Sequence, residues 1–404
     1  MLKILQITNK VPYPPKDGGA LAVLNMAKGL SKLGMDVSLL AFNTSKHHQD
    51  MNSFGSTELP YHHIWTVDLD TSISLASTLW HQISSTQAYH LKRFWSNDFR
   101  DLLKIVVKKH HFDLIQIEAL YMLQYVPYIR KDSSVPVFYR AHNIEHEVWE
   151  RKALTEKNIL KKLFFKSLSR RIRKYELECP SLFNHLIAIS PKDLEFFNTN
   201  GLAKPCIIAP VGIELQISEH TASANIECEN DLFYIGALDW LPNQEGLLWF
   251  LQNCWHSVRE RLPNLTLSIA GRNAPKHFSE KLKLYKNIIF SGEVDDAKEY
   301  MSKHGILIVP LFSGSGIRVK IAEAMSLGKA VITSKVGIEG IAANHGTEIL
   351  IADTEQQWVQ QIENLVTDQE YKARIGANAR LFAQEQLDLN KISKNIVNFY
   401  FNHI

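Results

Sequence analysis

Two rhythms of apolar and polar residues alternate along this chain. Short, continuous apolar runs bounded by Gly, Pro, Asn or Asp predict buried strands. Longer stretches with apolar residues recurring every three or four positions predict helices. In the first half, residues 3–8, 37–42, 64–69, 114–118, 135–141 and 186–190 read as strands. Helical stretches separate them, notably 19–33, closed by Gly34 at a position that favours a left-handed backbone, and about 145–178. The pattern starts afresh at Asp231, with strands expected at 232–238, 265–270, 288–292, 306–312, 330–333 and 348–352. On the helix after the first of these, Leu247, Phe250, Leu251, Cys254, Trp255 and Val258 form a stripe spaced i, i+3, i+4. Such alternation predicts parallel sheets built from βαβ units. Residues 222–230 are polar and weakly periodic and read as a linker, and an aromatic-rich helical pattern at 391–401 is expected to cross back onto the first domain.

At 404 residues the chain exceeds one ordinary core, which makes two doubly wound α/β domains facing across a cleft the economical architecture. In such sheets ligands bind beyond the C-terminal strand edges. A net charge of +3 does not point to nucleic acid. The four cysteines contain no C-x-x-C pair or metal-site spacing, and fit reduced thiols in a cytoplasmic protein. The N-terminal apolar run stops at prolines, unlike a secretory leader, and no apolar run reaches the roughly 18 residues that a membrane span needs.

The stretch richest in chemistry is VPLFSGSGIRVKIAEAMSLGKAVITSKVGIEG, residues 309–340. It reads as a strand, a small-residue turn at 313–316, a helix at 317–327 and a second strand. A turn of this kind brings backbone N–H groups and a positive dipole end toward an anion. Arg318 and Lys320 stand in the first turn of that helix, where cations oppose the dipole, so an external anion would explain them. Lys320 and Glu323, three apart, share one face. A diphosphate with a neighbouring pair of sugar hydroxyls would suit this set.

Other positions admit both a functional and a structural reading. Gly18 and Gly19, in KVPYPPKDGGALAV, open a helix without the G-x-G-x-x-G dinucleotide fingerprint. They either let backbone approach a ligand or give flexibility to a turn. His142, just past the strand at 135–141, either serves a sugar hydroxyl or lies at an ordinary helix start capped by Asn143. Arg272 either reaches the ligand or starts a turn. Gly236 ends a strand, with Trp240, Pro242 and Asn243 shaping the following loop and helix start. From Arg151 to Lys174 there are ten Lys or Arg and one acid, interleaved with Leu154, Leu160, Leu163, Phe164, Phe165 and Leu168. That segment is either a basic amphipathic helix touching anionic lipid, or a long helix with one core face and one solvated cationic face. It carries no recognised nucleic-acid module.

Taken together, KVPYPPKDGGA, RAHNIEHEVW, LIAISPKDLEFF with APVGIEL, FYIGALDWLPNQEGLLWF and SGSGIRVKIAEAMSLGKAVITSKVGIEG resemble the retaining glycosyltransferases of family 4, over nearly the whole chain. The resemblance implies a GT-B fold: an acceptor-binding Rossmann-like domain at 1–215, a nucleotide-sugar-binding one at 216–385, and a helix at 386–404 packing back on the first. It implies a metal-independent enzyme without a cofactor. That enzyme moves a hexose-type sugar from a UDP- or GDP-sugar to a hydroxyl of a surface glycan or lipid-linked acceptor. A cytoplasmic protein is expected, and the basic segment at 151–174, in its lipid-touching reading, would bring it to the inner face of the membrane. By position, Glu323 matches the second acid of the family's E-x7-E motif, which grips the donor ribose. Ser315 stands where the first acid is expected. Gly316 and Ile317 would offer N–H groups to the diphosphate, and Glu339 is counted with the donor-binding set. Gly18 and Gly19 match the family's N-terminal glycine loop, and His142 its histidine beside the donor sugar. The Arg and Lys that many members carry just after Gly236 are missing, so Arg318 and Lys320 are expected to take over their charge. The rival readings are an inactive nucleotide-sugar-binding relative and a GT-B nucleotide-sugar epimerase or phosphorylase.

Overall fold

The computed structural model describes residues 1–15, 17–45, 48–50, 59–71, 88–215, 231–314 and 318–404. The linker expected at 222–230 and the site residues Ser315, Gly316 and Ile317 lie outside them. Seven strands form one wholly parallel sheet: β1 Lys3–Thr8, β2 Asp36–Thr44, β3 Ile64–Leu69, β4 Leu114–Ile117, β5 Val137–Ala141, β6 His185–Ala188 and β7 Cys206–Ile208. Their order is β3-β2-β1-β4-β5-β6-β7. Six more form a second parallel sheet: β8 Leu232–Ile235, β9 Leu267–Ala270, β10 Ile288–Gly292, β11 Ile306–Val309, β12 Ala330–Thr333 and β13 Leu350–Ile351, in the order β10-β9-β8-β11-β12-β13. Both sheets grow outward in one direction and then in the other. The reversal lies between β1 and β4 in the first sheet, and between β8 and β11 in the second. Those are the switch points where open α/β sheets bind ligands.

Continuous apolar strands follow from this topology, because parallel sheets are covered on both faces. In β1, successive side chains alternate. Ile4 packs with Met26, Leu30, Phe138 and Ile396, whereas Leu5 and Ile7 pack with Phe42, Phe99, Leu103 and Val106. The helix Leu389–Phe401 joins this first unit, burying Ile396 and Tyr400 against β1 and β5 residues. The two compact units are residues 1–212 with 389–404, and residues 213–388. The divisions fall three residues from those expected at 215/216 and 385/386. The close approach of Gly212 to Leu389 and the bond from Ile213 N–H to the Leu387 carbonyl (2.9 Å) lie at these divisions.

Several expected elements are subdivided or trimmed. The stretch at 145–178 is two helices, Glu145–Thr155 and Ile159–Glu178, because Asn158 caps the second: its side chain accepts the Lys161 N–H at 3.1 Å. The two helices run antiparallel against each other, with Ser169 donating to the His146 carbonyl (2.9 Å) and Trp149 packed on Phe165. The Leu247–Val258 stripe spans two helices, Leu241–Asn253 and Trp255–Arg261, turning at Cys254. Strand β7, three residues at a sheet edge, is too short to leave a pattern. Strands β8 and β11 end at Ile235 and Val309, three residues earlier than expected, and the residues released become loops at the C-terminal edge.

Gly246, in the Leu241–Asn253 helix, allows that helix to lie directly on the chain leaving β11. A Cβ there would stand 1.6 Å from the Pro310 carbonyl oxygen. Gly246→Ala is therefore expected to destabilise the protein by about 1–3 kcal/mol through overpacking. Denaturant unfolding measures this, and an unchanged midpoint would contradict the close approach.

Candidate functional site

In the second unit, the sequence leaving β11 returns toward β8. Gly314 holds φ at +99°, a conformation that L side chains rarely adopt, and a Cβ there would collide with the Trp240 ring at 2.6 Å. The helix Val319–Ser326 follows, with Arg318 at its N-cap, its own side chain making no capping bond. Arg318 is buried, its guanidinium 5.6 Å from the centre of the Trp240 ring. Lys320 reaches back over β8: its ammonium lies 4.2 Å from the Tyr234 ring centre and donates to Tyr234 Oη (3.2 Å) and Asn243 Oδ1 (3.5 Å). Gly236 leaves it room, because a Cβ there would stand 2.7 Å from Lys320 Nζ. Asn243 fixes the loop as well, donating to the Ala237 carbonyl at 2.8 Å. Its role is thus to hold both the turn and Lys320, while the N-cap of its helix is Trp240, without a side-chain bond.

Neither hydrogen-bond partner of Lys320 is charged. Burial, reinforced by the Arg318 charge, pulls its pKa down to about 7. Two cations thus crowd the switch point of the second sheet.

The structure brings Gly236, Arg318 and Lys320 together, and adds Tyr234, Trp240 and Asn243 to them. Glu323 lies one turn further along the helix and half-buried. Burial raises its carboxyl above the ordinary value, with Asp296 adding to the effect and Lys298 opposing it. Arg272 follows β9, and its carbonyl accepts the Leu238 N–H at 2.9 Å, tying the two loops together. Glu339 is half-buried in the turn beyond β12.

In the first unit, His142 leaves β5 and Glu118 leaves β4, side by side at the strand edges. His142 Nε2 lies 2.7 Å from Glu118 Oε2, with the carboxylate side chain only 1% exposed and the imidazole 16%. Arg140 Nη1 donates to Glu118 (3.4 Å) and to the Ala22 carbonyl (3.1 Å). Gln6 donates to the other carboxylate oxygen at 2.6 Å, and Gln116 bonds there too. Tyr61 donates to Gln6 (2.9 Å), and Tyr400 to Gln116. Burial works against the Glu118 charge, but Arg140 and the bonds from His142 and Gln6 outweigh it and hold the carboxyl below its ordinary value. Burial lowers His142, against the opposing pull of Glu118. An ionised carboxylate can only accept, so the shared proton sits on Nε2 and Nδ1 keeps its lone pair.

Gly18 begins the helix Gly18–Lys32, and Asp17 caps it, accepting the Ala20 N–H at 2.9 Å. Lys10 pairs with Asp17, and its charge also lowers His142. The helix after His142 is capped from a distance, not by Asn143. Glu176 accepts the N–H groups of Glu145 (2.6 Å) and His146 (3.1 Å), and the His146 ring (2.6 Å). Beside it the half-buried Glu145 carboxyl, desolvated and facing Glu176, is pushed up to about 7.

Sequence reading missed Glu118, Lys10 and Tyr234. The one signal for Glu118 was its place, an acid directly after an apolar strand. Among the described residues, no three His, Cys, Asp or Glu side chains gather where they could share a metal ion.

Residues 229–368 match the family model described as glycosyl transferases group 1. A 44.6 kDa uncharacterized protein of the cps region of Klebsiella pneumoniae is 26% identical, over 98% of this chain and 99% of its own. Among solved structures, sucrose-phosphate synthase from Thermosynechococcus elongatus superposes with a TM-score of 0.71 at 16% identity, covering 100% of this chain and 99% of that one. Anabaena HepE in complex with UDP gives 0.68 at 16% identity, covering 99% and 100%. TarM from S. aureus, in complex with fondaparinux, alpha-GlcNAc-glycerol and UDP, gives 0.67 at 10% identity, covering 99% and 100%. The fold is GT-B.

Glu118→Gln removes the charge that sustains the basicity of His142, so the His142 pKa should fall further. The buried Arg140 also loses its counter-charge, which should destabilise the fold by about 3–5 kcal/mol. Histidine NMR titration, with His142→Gln to assign the signal, measures the first effect and denaturant unfolding the second. An unmoved His142 titration would contradict the pairing.

Proposed function

We propose that the protein is a retaining glycosyltransferase. It would move a hexose-type sugar from a UDP- or GDP-sugar, bound by the second unit, to a hydroxyl of a glycan or lipid-linked acceptor bound by the first. The observation that carries this reading is the pair of crowded cations, Arg318 and Lys320, at the switch point beside Gly236. A diphosphate would set its negative charge against these two side chains, and the start of the Val319–Ser326 helix would add N–H donors. The match of residues 229–368 to the glycosyl transferase model supports it, as do the UDP complexes of HepE and TarM.

Glycosyl transfer builds negative charge on the departing nucleotide diphosphate, and fixed cations stabilise that charge without having to reorganise. In this reading Gly236, Arg272, Ser315, Gly316, Ile317 and Glu339 line the donor, and Glu323 takes the ribose hydroxyls. Gly18 and Gly19 let backbone approach the reacting sugar, and the free Nδ1 of His142 accepts from a sugar hydroxyl. Same-face transfer would leave the acceptor proton to the leaving phosphate, with no metal or cofactor required. The Klebsiella cps-region relative favours surface-polysaccharide synthesis as the setting. The serine at 315, in place of the family's first motif acid, supports one rival, a binding protein without transfer activity.

Calorimetric titration with UDP and GDP tests the donor site. Lys320→Ala should weaken binding of the preferred nucleotide about ten- to hundredfold, the effect of losing a charged hydrogen bond of roughly 1.5–3 kcal/mol, in a variant that still unfolds cooperatively. Equal affinity in the variant would remove Lys320 from the site. Nucleotide release that needs both donor and acceptor, with the product anomer read by NMR, tests transfer and retention. Binding without transfer across a broad acceptor panel would favour the inactive relative.

A further inference from the structure

The antiparallel helices Glu145–Thr155 and Ile159–Glu178 end in a tip that does not pack as the sequence suggests. Leu154, Leu160 and Leu163 belong to the apolar positions that a single long helix would bury. The break at 156–158 puts them outside instead. Leu154 is 65% exposed, Ile159 74%, Leu160 78% and Leu163 58%. The buried face of the second helix is Leu168, Ser169, Ile172 and Glu176. The opposite face can be followed by the 3.6-residue repeat: Ile159 and Leu163 at the tip, then Lys166, Arg170, Arg173 and Lys174 along the shaft, all exposed. Lys157 and Lys161 stand exposed around the tip itself. One exposed stripe therefore changes from aliphatic at its end to cationic along its length.

We propose that this hairpin tip is a membrane-docking surface for bilayers rich in anionic phospholipid. Leu154, Ile159, Leu160 and Leu163 enter the headgroup and upper acyl region, and the shaft cations lie over the phosphates. The charge balance selects this occupant: ten Lys or Arg against the single acid Glu156 between Arg151 and Lys174. The shape agrees. A hairpin end is convex, and its flexible aliphatic side chains alternate with lysines long enough to keep their ammonium groups at the water boundary. Among the described residues no helix is long and apolar enough to cross a membrane, so the contact is a surface one. It holds whether or not the protein transfers sugar.

Flotation of the full-length protein with vesicles tests it. Binding is expected to vesicles of phosphatidylglycerol and phosphatidylcholine, to be absent with phosphatidylcholine alone, and to weaken as salt is raised. The exposed-site double variants Leu160→Ser with Leu163→Ser, and Lys166→Glu with Arg170→Glu, should each lower vesicle affinity at least tenfold. Their UDP titration should match the unaltered protein, which separates this test from that of the donor site. No flotation with anionic vesicles at low salt, or undiminished binding by either variant, would overturn the proposal. So would a solution dimer that the leucine variant dissolves, which would assign the tip to a second copy of the chain.

Discussion

The structure of the second unit turns on a desolvated amine whose hydrogen-bond partners are both neutral. Lys320 is carried by the first turn of the Val319–Ser326 helix onto the face of Tyr234, beside the buried Arg318, and its hydrogen-bond partners are a phenol and an amide. Burial and the neighbouring guanidinium both disfavour its proton. Between about pH 7 and the ordinary lysine value, the unfolded chain keeps a proton that the folded chain releases, so the fold gains stability as pH rises through that window. Around this pair the backbone is arranged for room: Gly236 clears the ammonium, and Gly314 adopts a left-handed turn against Trp240. These parts stand where strands end at the reversal of the sheet.

The first unit solves an analogous placement problem with the opposite charge. There the buried group is a carboxylate, Glu118, and it is compensated by Arg140, Gln6, Gln116 and His142. Because its carboxyl lies below the ordinary value when folded, Glu118 stabilises the fold above that ordinary value, and the contribution vanishes as acid carries pH down through the lowered one. The network extends through Gln116 to Tyr400, so the helix Leu389–Phe401 both seals the core and supports the residue that orients His142.

Much of this was legible in the sequence, and the reasons are physical. Parallel strands buried on both faces leave continuous apolar runs, so β1, β3, β10 and β12 could be bounded to the residue. Strand ends were less legible where apolar residues such as Leu238 and Leu311 continue past the last ladder bond into a packed loop. Arg318 and Lys320 stood out because cations at a helix start contradict the dipole. Glu118 did not, because its partners come from β1, β4 and β5, and nothing local marks a carboxylate that will be buried by distant residues. The helix break at 156–158 was hidden by a helical period that runs through it. Only the capping bond of Asn158 decides it, and that break turns apolar positions outward.

The protonation of Lys320 is the most direct test of the central claim. In protein labelled at the lysine side chains, with Lys320→Arg used to assign the signal, the Lys320 Cε resonance should titrate near pH 7 without ligand. It should move to higher pH when a nucleoside diphosphate binds, because the anion favours the charged amine. A Lys320 that titrates with the ordinary lysines and is indifferent to nucleoside diphosphate would contradict the account.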